Sequence, residues 1–290
     1  MEMTSRILAM TAAGILTLGG CVEEGGKEGP EMRFEIAYPG VSRVTETSFE
    51  EGDCVGVFVK EEKKPLEVSG NTVNNEAVAF EGNEWTPRRT LYWEEGTYDV
   101  VGYYPYQERV ESVEDLRFAV RLDQSAEGTD GGPGGYEASD FLWAVRENVR
   151  AEDGAVELRF AHRMSKLVVR LVPTEDYEGE IPRDAVVRVH GTVTEATVDL
   201  EAGVVTKYPY GGQEIITARK AGDGLYEAIV VPQRLDYNRP LVEVIADGVS
   251  YMYETRFVFR SGVEHTLTVY MSSNPEQTKI EIGGEIEGWN

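Results

Sequence analysis

The 290-residue chain has only two cysteines, Cys21 and Cys54, and only three histidines. Two cysteines allow at most one internal disulfide, and none if Cys21 is engaged elsewhere, so this is not a disulfide scaffold. Cys54, between "EEGD" and "VGVFV", reads as a half-buried strand thiol and not as a reactive one. His162, His190 and His265 are far apart in separate apolar stretches, with no HExxH and no second histidine at ligand spacing. They are expected to be structural, and no metal or cofactor is expected. The chain also lacks a G-x-S-x-G elbow, a P-loop, a dinucleotide fingerprint and a CxxC pair. No nucleophile and base can be assembled, no catalytic residue can be named, and an enzyme is not expected.

Positive charge is scarce: 28 Lys and Arg stand against 52 Asp and Glu, a formal net charge of −24. Such a surface repels phosphate backbones, which excludes nucleic-acid binding, and leaves no basic patch to grip anionic lipid. Acid pairs such as Glu61-Glu62 and Glu94-Glu95 are ordinary in so acidic a chain and read as solvated faces, not as glycosidase carboxylates. The acids Asp123, Glu127, Asp130 and Asp140 lack the ordered alternation of a calcium loop.

A long hydrophobic run is missing as well. The apolar core from Ile7 to Gly20 is shorter than the roughly 20 residues that a membrane helix needs, and Arg6 precedes it, so residues 1–20 read as a secretory signal peptide. Leu18, Gly19, Gly20 and Cys21 resemble a bacterial lipobox, which implies cleavage before Cys21 and acyl chains on its sulfur. One chain holds a protein marginally and two or more hold it firmly. The outer membrane is therefore an expected partner, reached through the lipid on Cys21. Residues 21–32, with "VEEGGKEGPE", have no apolar period and read as a lipidated tether. Glu23 and Glu24 resemble the export tag by which Bacteroides-type bacteria send lipoproteins to the cell exterior.

Beyond the tether the chain reads as strand after strand, with helical periodicity almost absent. "CVGVFV" and "EAVAF" alternate, "TLYW" is short and aromatic, and "TYDVVGYYPY" is β-branched and aromatic up to a proline. Gln124 to Asp140 is a Gly, Pro and acid loop, after which "FLWAV" resumes the pattern. In "VELRFAHRMSKLVVRLV" the apolar set moves from even positions (Val156, Leu158, Phe160, Met164) to odd ones (Leu167, Val169, Leu171), so a bulge or bend is expected near Ser165 and Lys166. "VVRVHG", "TEATVDLEAGVVT" and "LYEAIVVPQ" continue the style, and Asp247-Gly248 and Ser261-Gly262 read as two hairpin turns. Strands joined by turns without helices indicate an all-β fold of two antiparallel β-sandwich domains. The polar turn from Arg150 to Ala155 places them at 33–153 and 154–290. Tyr92, Trp93, Tyr98, Tyr103, Tyr104 and Tyr106 crowd one region, and strand geometry sends half of such a set into the core.

The order of "FEEGDCVGVFV", "YYPY", "SDFLWA", "LRFAHRMSKLVV", "VVPQ" and a terminal "IEGW" resembles the fimbrillin family, specifically the Mfa-like fimbrillins of Bacteroides-type bacteria. The resemblance covers nearly all of the mature chain. It implies transthyretin-like, Greek-key sandwiches and a surface lipoprotein that serves as a structural, anchor or tip subunit of type V pili. The location it implies is the outer membrane, the cell surface or the fimbrium. It also implies removal of the first strand by an arginine-directed protease, with Arg43 and Arg33 as candidate cleavage points, followed by β-strand addition from other pilin subunits. Lys279 to Trp289 reads as a donating strand or as the last strand of the second domain, where Trp289 would pin the end. The alternative is a surface lipoprotein that never polymerises and binds a glycan or host protein through exposed rings such as Trp85, Trp93 or Tyr136.

Overall fold

The computed structural model describes residues 29–39, 48–129, 132–277 and 279–289. Cys21, the expected signal segment, the tether up to residue 28 and Arg43 lie outside the described residues.

Twenty strands account for the architecture of the described residues. The first nine are β1 (Phe34–Ala37), β2 (Cys54–Glu61), β3 (Val73–Glu81), β4 (Glu84–Pro87), β5 (Tyr98–Tyr104), β6 (Leu116–Ala119), β7 (Leu142–Val149), β8 (Val156–Arg159) and β9 (Ala161–His162). They are followed by β10 (Ser165–Pro173), β11 (Val186–Val193), β12 (Glu195–Asp199), β13 (Val204–Lys207), β14 (Gln213–Thr217) and β15 (Arg219–Gly222). The series closes with β16 (Leu225–Val230), β17 (Gln233–Ala246), β18 (Val249–Phe259), β19 (Val263–Met271) and β20 (Lys279–Glu287). No α-helix occurs among the described residues, and the chain is all-β.

A six-stranded sheet in the order β4-β3-β2-β5-β7-β9 forms a middle layer. Both of its faces are apolar. Successive strand residues point to opposite sides, so Val55, Val57, Val59 and Val100 join one hydrophobic cluster while Phe58, Val101 and Tyr103 join another. The two-stranded sheet β1-β8 supplies Phe34, Val156 and Leu158 to the first cluster. The three-stranded sheet β13-β12-β6 supplies Leu116, Phe118, Ala196 and Val198 to the second. A further sandwich packs the five-stranded sheet β15-β16-β10-β19-β20 with the four-stranded sheet β14-β11-β17-β18. Leu167, Val169, Leu267 and Val269 of the one share a cluster with Val187, Val189, Val242 and Val244 of the other. Most ladders are antiparallel, but β1 with β8 and β10 with β19 run parallel, each pairing strands far apart in the chain.

The parity change after Phe160 has a larger cause than a bulge. The strand breaks at Arg163 and Met164, just ahead of the expected point, because the chain changes sheets: β9 pairs with β7, whereas β10 pairs with β16 and β19. Of the even set, Val156, Leu158 and Phe160 face one cluster, whereas Met164, already past the break, joins the odd set Leu167, Val169 and Leu171 in the other. Asp247-Gly248 makes the expected hairpin, with Ala246 paired to Val249 and both turn residues at positive φ, 50° and 77°. Ser261-Gly262 does not. It turns the chain from β18 in one sheet to β19 in another, so the strands it joins are not partners.

Two features cross the expected sequence divisions. β12 pairs with β6, with Ala196 opposite Phe118, so halves of the chain on either side of residue 153 share a sheet. Gly29 to Met32 also dock earlier than a tether ending at residue 32 would allow. Met32 donates its N–H to Leu91 O (2.8 Å), and Trp93 donates to Pro30 O (2.9 Å). "TLYW" accordingly forms no strand of its own; it makes a bridge between Tyr92 and Glu31.

Candidate assembly site

The feature that sets this fold apart from a closed sandwich is that a terminal strand completes it. β1 is four residues long and alternates, with Phe34 buried and Glu35 exposed. Its parallel register places Phe34 beside Val156 and Ile36 beside Leu158. The ladder is extended at both ends, by Val156 N–H to Arg33 O (2.8 Å) and Phe160 N–H to Ala37 O (3.1 Å). β8 has no other ladder partner among the described residues, so loss of β1 leaves its backbone donors and acceptors unpaired.

The slot under β1 is apolar. Met32 and Phe34 enter a cluster with Leu91, Trp93, Leu158 and Phe160. Each such side chain contributes roughly 1.5–3 kcal/mol when fully buried. Beyond β1, Phe49 is the hub of an aromatic group, with its ring 5.2 Å from Tyr38, 4.9 Å from Trp85, 5.7 Å from Tyr104 and 5.9 Å from Phe160. An extended peptide with alternating apolar side chains matches both the hydrogen-bonding and the steric requirement of this slot.

Arg33, one of the two candidate cleavage residues, lies immediately before β1 with an exposed side chain in a loose 3.6 Å pair with Glu31. Its backbone is less free, since its carbonyl is bonded to Val156 and both neighbours, Met32 and Phe34, are buried. A cut after Arg33 would separate Met32 from β1, and so would release more than a tether.

The opposite end of the chain forms a sheet edge. β20 pairs antiparallel with β19 along one side only, and its register slips between His265 and Leu267, opposite Gly283 and Gly284. "KIEIGGEIEGW" is thus the last strand of its sheet, and Trp289 is buried.

The three histidines sit in separate places. His162 Nδ1 donates to Asp140 Oδ2 (2.7 Å), and His190 Nε2 lies 2.9 Å from Glu243 Oε2. His265 accepts the Arg260 N–H on Nε2 (3.2 Å), while its Nδ1 faces Glu285 (3.2 Å). Burial, reinforced by the nearby Arg260 charge, lowers the His265 pKa to about 4 and keeps the ring neutral. Among the described residues no group of three or more His, Cys, Asp or Glu is placed to hold a metal. Of the loop acids, Asp123 Oδ1 accepts from Ser125, Asp140 is held by His162, and Asp130 lies outside the described residues. Cys54 is half-buried at the start of β2, and burial raises its thiol pKa.

The rings singled out as a binding surface do not assemble into one. Trp93 and Tyr136 are buried, and Trp85 is partly buried against Phe49 and Phe80. Tyr98, Tyr103 and Tyr104 belong to the interior, as strand geometry requires. Sequence reading missed the roles of Met32 and Tyr38 and the contact of Trp289 with His162. The only signal was the apolar alternation around each.

These observations define an all-β scaffold in which the first described strand completes the ladder of β8. The fimbrillin-like family matches residues 42–289, and the chain belongs to that family. Its fold is shared with a candidate cell adhesion protein from Bacteroides uniformis, 17% identical, with a TM-score of 0.68 over 89% of this chain and 99% of that one. A second, from Bacteroides ovatus, is 19% identical with a TM-score of 0.68 over 91% and 98%. A fimbrial protein from Bacteroides vulgatus is 10% identical with a TM-score of 0.52 over 90% and 100%. No curated protein matches the chain. The matched family is fimbrillin-like and these neighbours are described as cell adhesion or fimbrial proteins, and membership implies exposure at the cell surface. No helix among the described residues is long and apolar enough to cross a membrane.

Proposed function

We propose that the chain is a lipoprotein subunit of type V pili, a structural, anchor or tip component that assembles by strand exchange. The observation that supports this most directly is β1, the first described strand, which is the sole ladder partner of β8 among the described residues and fills an apolar slot. Its removal would leave a groove with main-chain groups to satisfy and apolar side chains to cover, the requirements that a strand from a second subunit meets. Lipidation at Cys21 would hold the subunit in the outer membrane until then. Cleavage after Arg43, beyond β1, would take the whole strand; cleavage after Arg33 would take only the segment before it. The division into units 33–153 and 154–290 stands as a proposal within this reading, qualified by the β6–β12 pairing across it.

The test is intact mass and oligomeric state of the protein recovered from membranes, before and after an arginine-specific protease. A lipidated species that loses the segment up to Arg43 and then forms higher oligomers supports a polymerising subunit. One that is trimmed without assembling leaves an anchor, a tip or a ligand-binding lipoprotein.

One observation favours the second reading, a surface lipoprotein that binds a glycan or host protein. Between β13 and β14, Tyr210 is 85% exposed, with its ring edge-on to Tyr208 at 5.6 Å. Tyr208 is itself held under the Arg117 guanidinium, 3.1 Å from the ring centroid. A rigid tyrosine presented this way offers contact area at low entropic cost. Tyr210→Ala should abolish adhesion under that reading and leave assembly intact.

A further inference from the structure

A lysine and two carboxylates meet where the middle sheet reaches the rim of its apolar face. In the ladder between β2 and β5, Phe58 stands opposite Val101, and two residues further along the same face Lys60 stands opposite Asp99. Phe58 and Val101 are buried in the core, and the charged pair that continues their row is nearly as enclosed, with the Lys60 and Asp99 side chains 10% and 12% exposed. Lys60 Nζ lies 3.0 Å from Asp99 Oδ2. It is also 3.7 Å from Oε1 of Glu201, which reaches in from the turn between β12 and β13 of the neighbouring sheet.

Backbone groups orient all three side chains. Lys60 Nζ donates to Lys64 O (2.7 Å), and Glu201 Oε1 accepts the Leu66 N–H (3.2 Å). Asp99 Oδ1 accepts the Asn148 N–H (3.1 Å), and Asn148 is in the left-handed region, φ 58°, where the register of β5 against β7 slips. The two oxygens of Asp99 therefore differ: Oδ2 faces the amine, and Oδ1 faces a fixed main-chain donor. One ammonium is set against two carboxylates, so the group carries a negative charge in excess of what it can pair. Holding ions in such an enclosed place is costly, and a neutral amide in place of the Lys60–Asp99 pair would remove that cost.

We propose that Lys60 and Asp99 join in an intramolecular isopeptide bond, formed by the folded chain itself, with Glu201 as the group that moves the proton. Transfer of a proton from the ammonium to Oδ2, within their hydrogen bond, leaves an amine beside a carboxylic acid. The amine lone pair attacks Asp99 Cγ, forming the C–N bond, while the negative charge that develops on Oδ1 is met by the Asn148 N–H. Glu201 takes a proton from the nitrogen and returns it to the Oδ2 hydroxyl, which leaves as water when the Cγ–Oδ2 bond breaks. No oxidant or further reactant is needed. The product ties the two central strands of the middle sheet together across 39 positions of sequence, which restricts the unfolded chain as a disulfide would. Among the described residues Cys54 is free, so no disulfide supplies that brace. The bond is a property of the single chain and does not depend on the pilus reading.

A tryptic digest of the full chain, denatured after folding and read by mass spectrometry, tests it. The expected species is uncut after Lys60 and joins the peptide that runs through Lys60 to the peptide that contains Asp99, lighter than the two together by one water. Lys60→Met should abolish it. Asp99→Asn should give a linked species of the same mass, because ammonia then leaves in place of water. Glu201→Gln should slow its appearance after refolding by about 100- to 10,000-fold, the range for loss of a general acid–base group. Complete cleavage after Lys60 in the folded parent, with the Asp99 peptide at its own mass, would show an ion pair only and overturn the proposal. Linkage at the parent rate in Glu201→Gln would overturn the role of Glu201.

Discussion

The ring of Tyr103 lies across the backbone of Gly56, its cross-strand partner between β5 and β2. A Cβ built on Gly56 would overlap the ring, and the ring cannot swing away. Tyr103 is fully buried, and its hydroxyl donates to Asn75 Oδ1 at 2.8 Å. Overpacking of this kind costs about 1–3 kcal/mol. Gly56→Ala should therefore lower the unfolding free energy by that amount, read as a lower urea midpoint at unchanged m-value, and a midpoint within error of the parent would show that the ring has room to yield.

The N-terminal segment separates packing from cleavage chemistry. Phe34 is buried against β8, so Phe34→Ala should cost about 3–5 kcal/mol and leave the slot partly empty. Arg33 is exposed and only loosely paired, so Arg33→Gln should change stability by no more than about 0.5 kcal/mol. Measured together by denaturant unfolding, the two neighbours should differ sharply. Equal effects would mean that β1 is not seated as described.

Lys166 holds two carboxylates beneath Trp289. Its ammonium is 3.0 Å from Glu227 and 3.1 Å from Glu264, and all three side chains are largely buried. Burial raises the Glu227 pKa, but Lys166 and Arg219 outweigh it and keep the carboxyl below its ordinary value. Removing one partner from such a group leaves buried charge uncompensated, so Lys166→Ala should destabilise by about 3–5 kcal/mol. Lys166→Ala, Glu264→Gln should recover part of the loss, and thermal unfolding at fixed pH would read the difference.

His265 introduces a pH dependence. Its folded pKa, about 4, lies below the ordinary value of 6.5. The unfolded chain therefore binds the proton first as pH falls. This contribution to stability is full above about 6.5 and is lost as pH falls to about 4, with a slope of at most about 1.4 kcal/mol per pH unit. Glu227 and Glu243, whose pKa values are lowered from 4.5, lose their contributions as pH falls below that value, so the window in which His265 contributes lies above theirs, between about 4.5 and 6.5. His265→Gln should flatten the slope of stability against pH in that window, whereas an unchanged slope would assign the effect to another group.

How much of this was legible in the sequence depended on the range of the interaction. Asp247-Gly248 is a local signal, since positive φ at both residues is a property of the turn itself, and it was read correctly. Ser261-Gly262 carries a similar local signal, but whether the strands it joins pair with each other is decided elsewhere in the chain. The parity change between Phe160 and Leu167 was visible as a pattern. That it marks a change of sheet was not, because alternation reports which face is buried and not which sheet buries it. The candidate site shows the same limit: Arg33 and Trp289 could be named, yet the contacts of Tyr38, Asp140 and Trp289 with His162 join residues up to 127 positions apart.

The sequence by itself determined that the chain would be all-β and acidic, because periodicity and net charge are properties of neighbouring residues and of sums. Its resemblance to the fimbrillin family was likewise carried by short fragments in order. Only the tertiary structure decided that β1 lies parallel to β8, that β6 pairs with β12, and that Tyr38 and Trp289 both meet His162. Those are choices among many pairings of similar local strands. They are settled by which apolar faces can be buried together and which ladders can be completed at once.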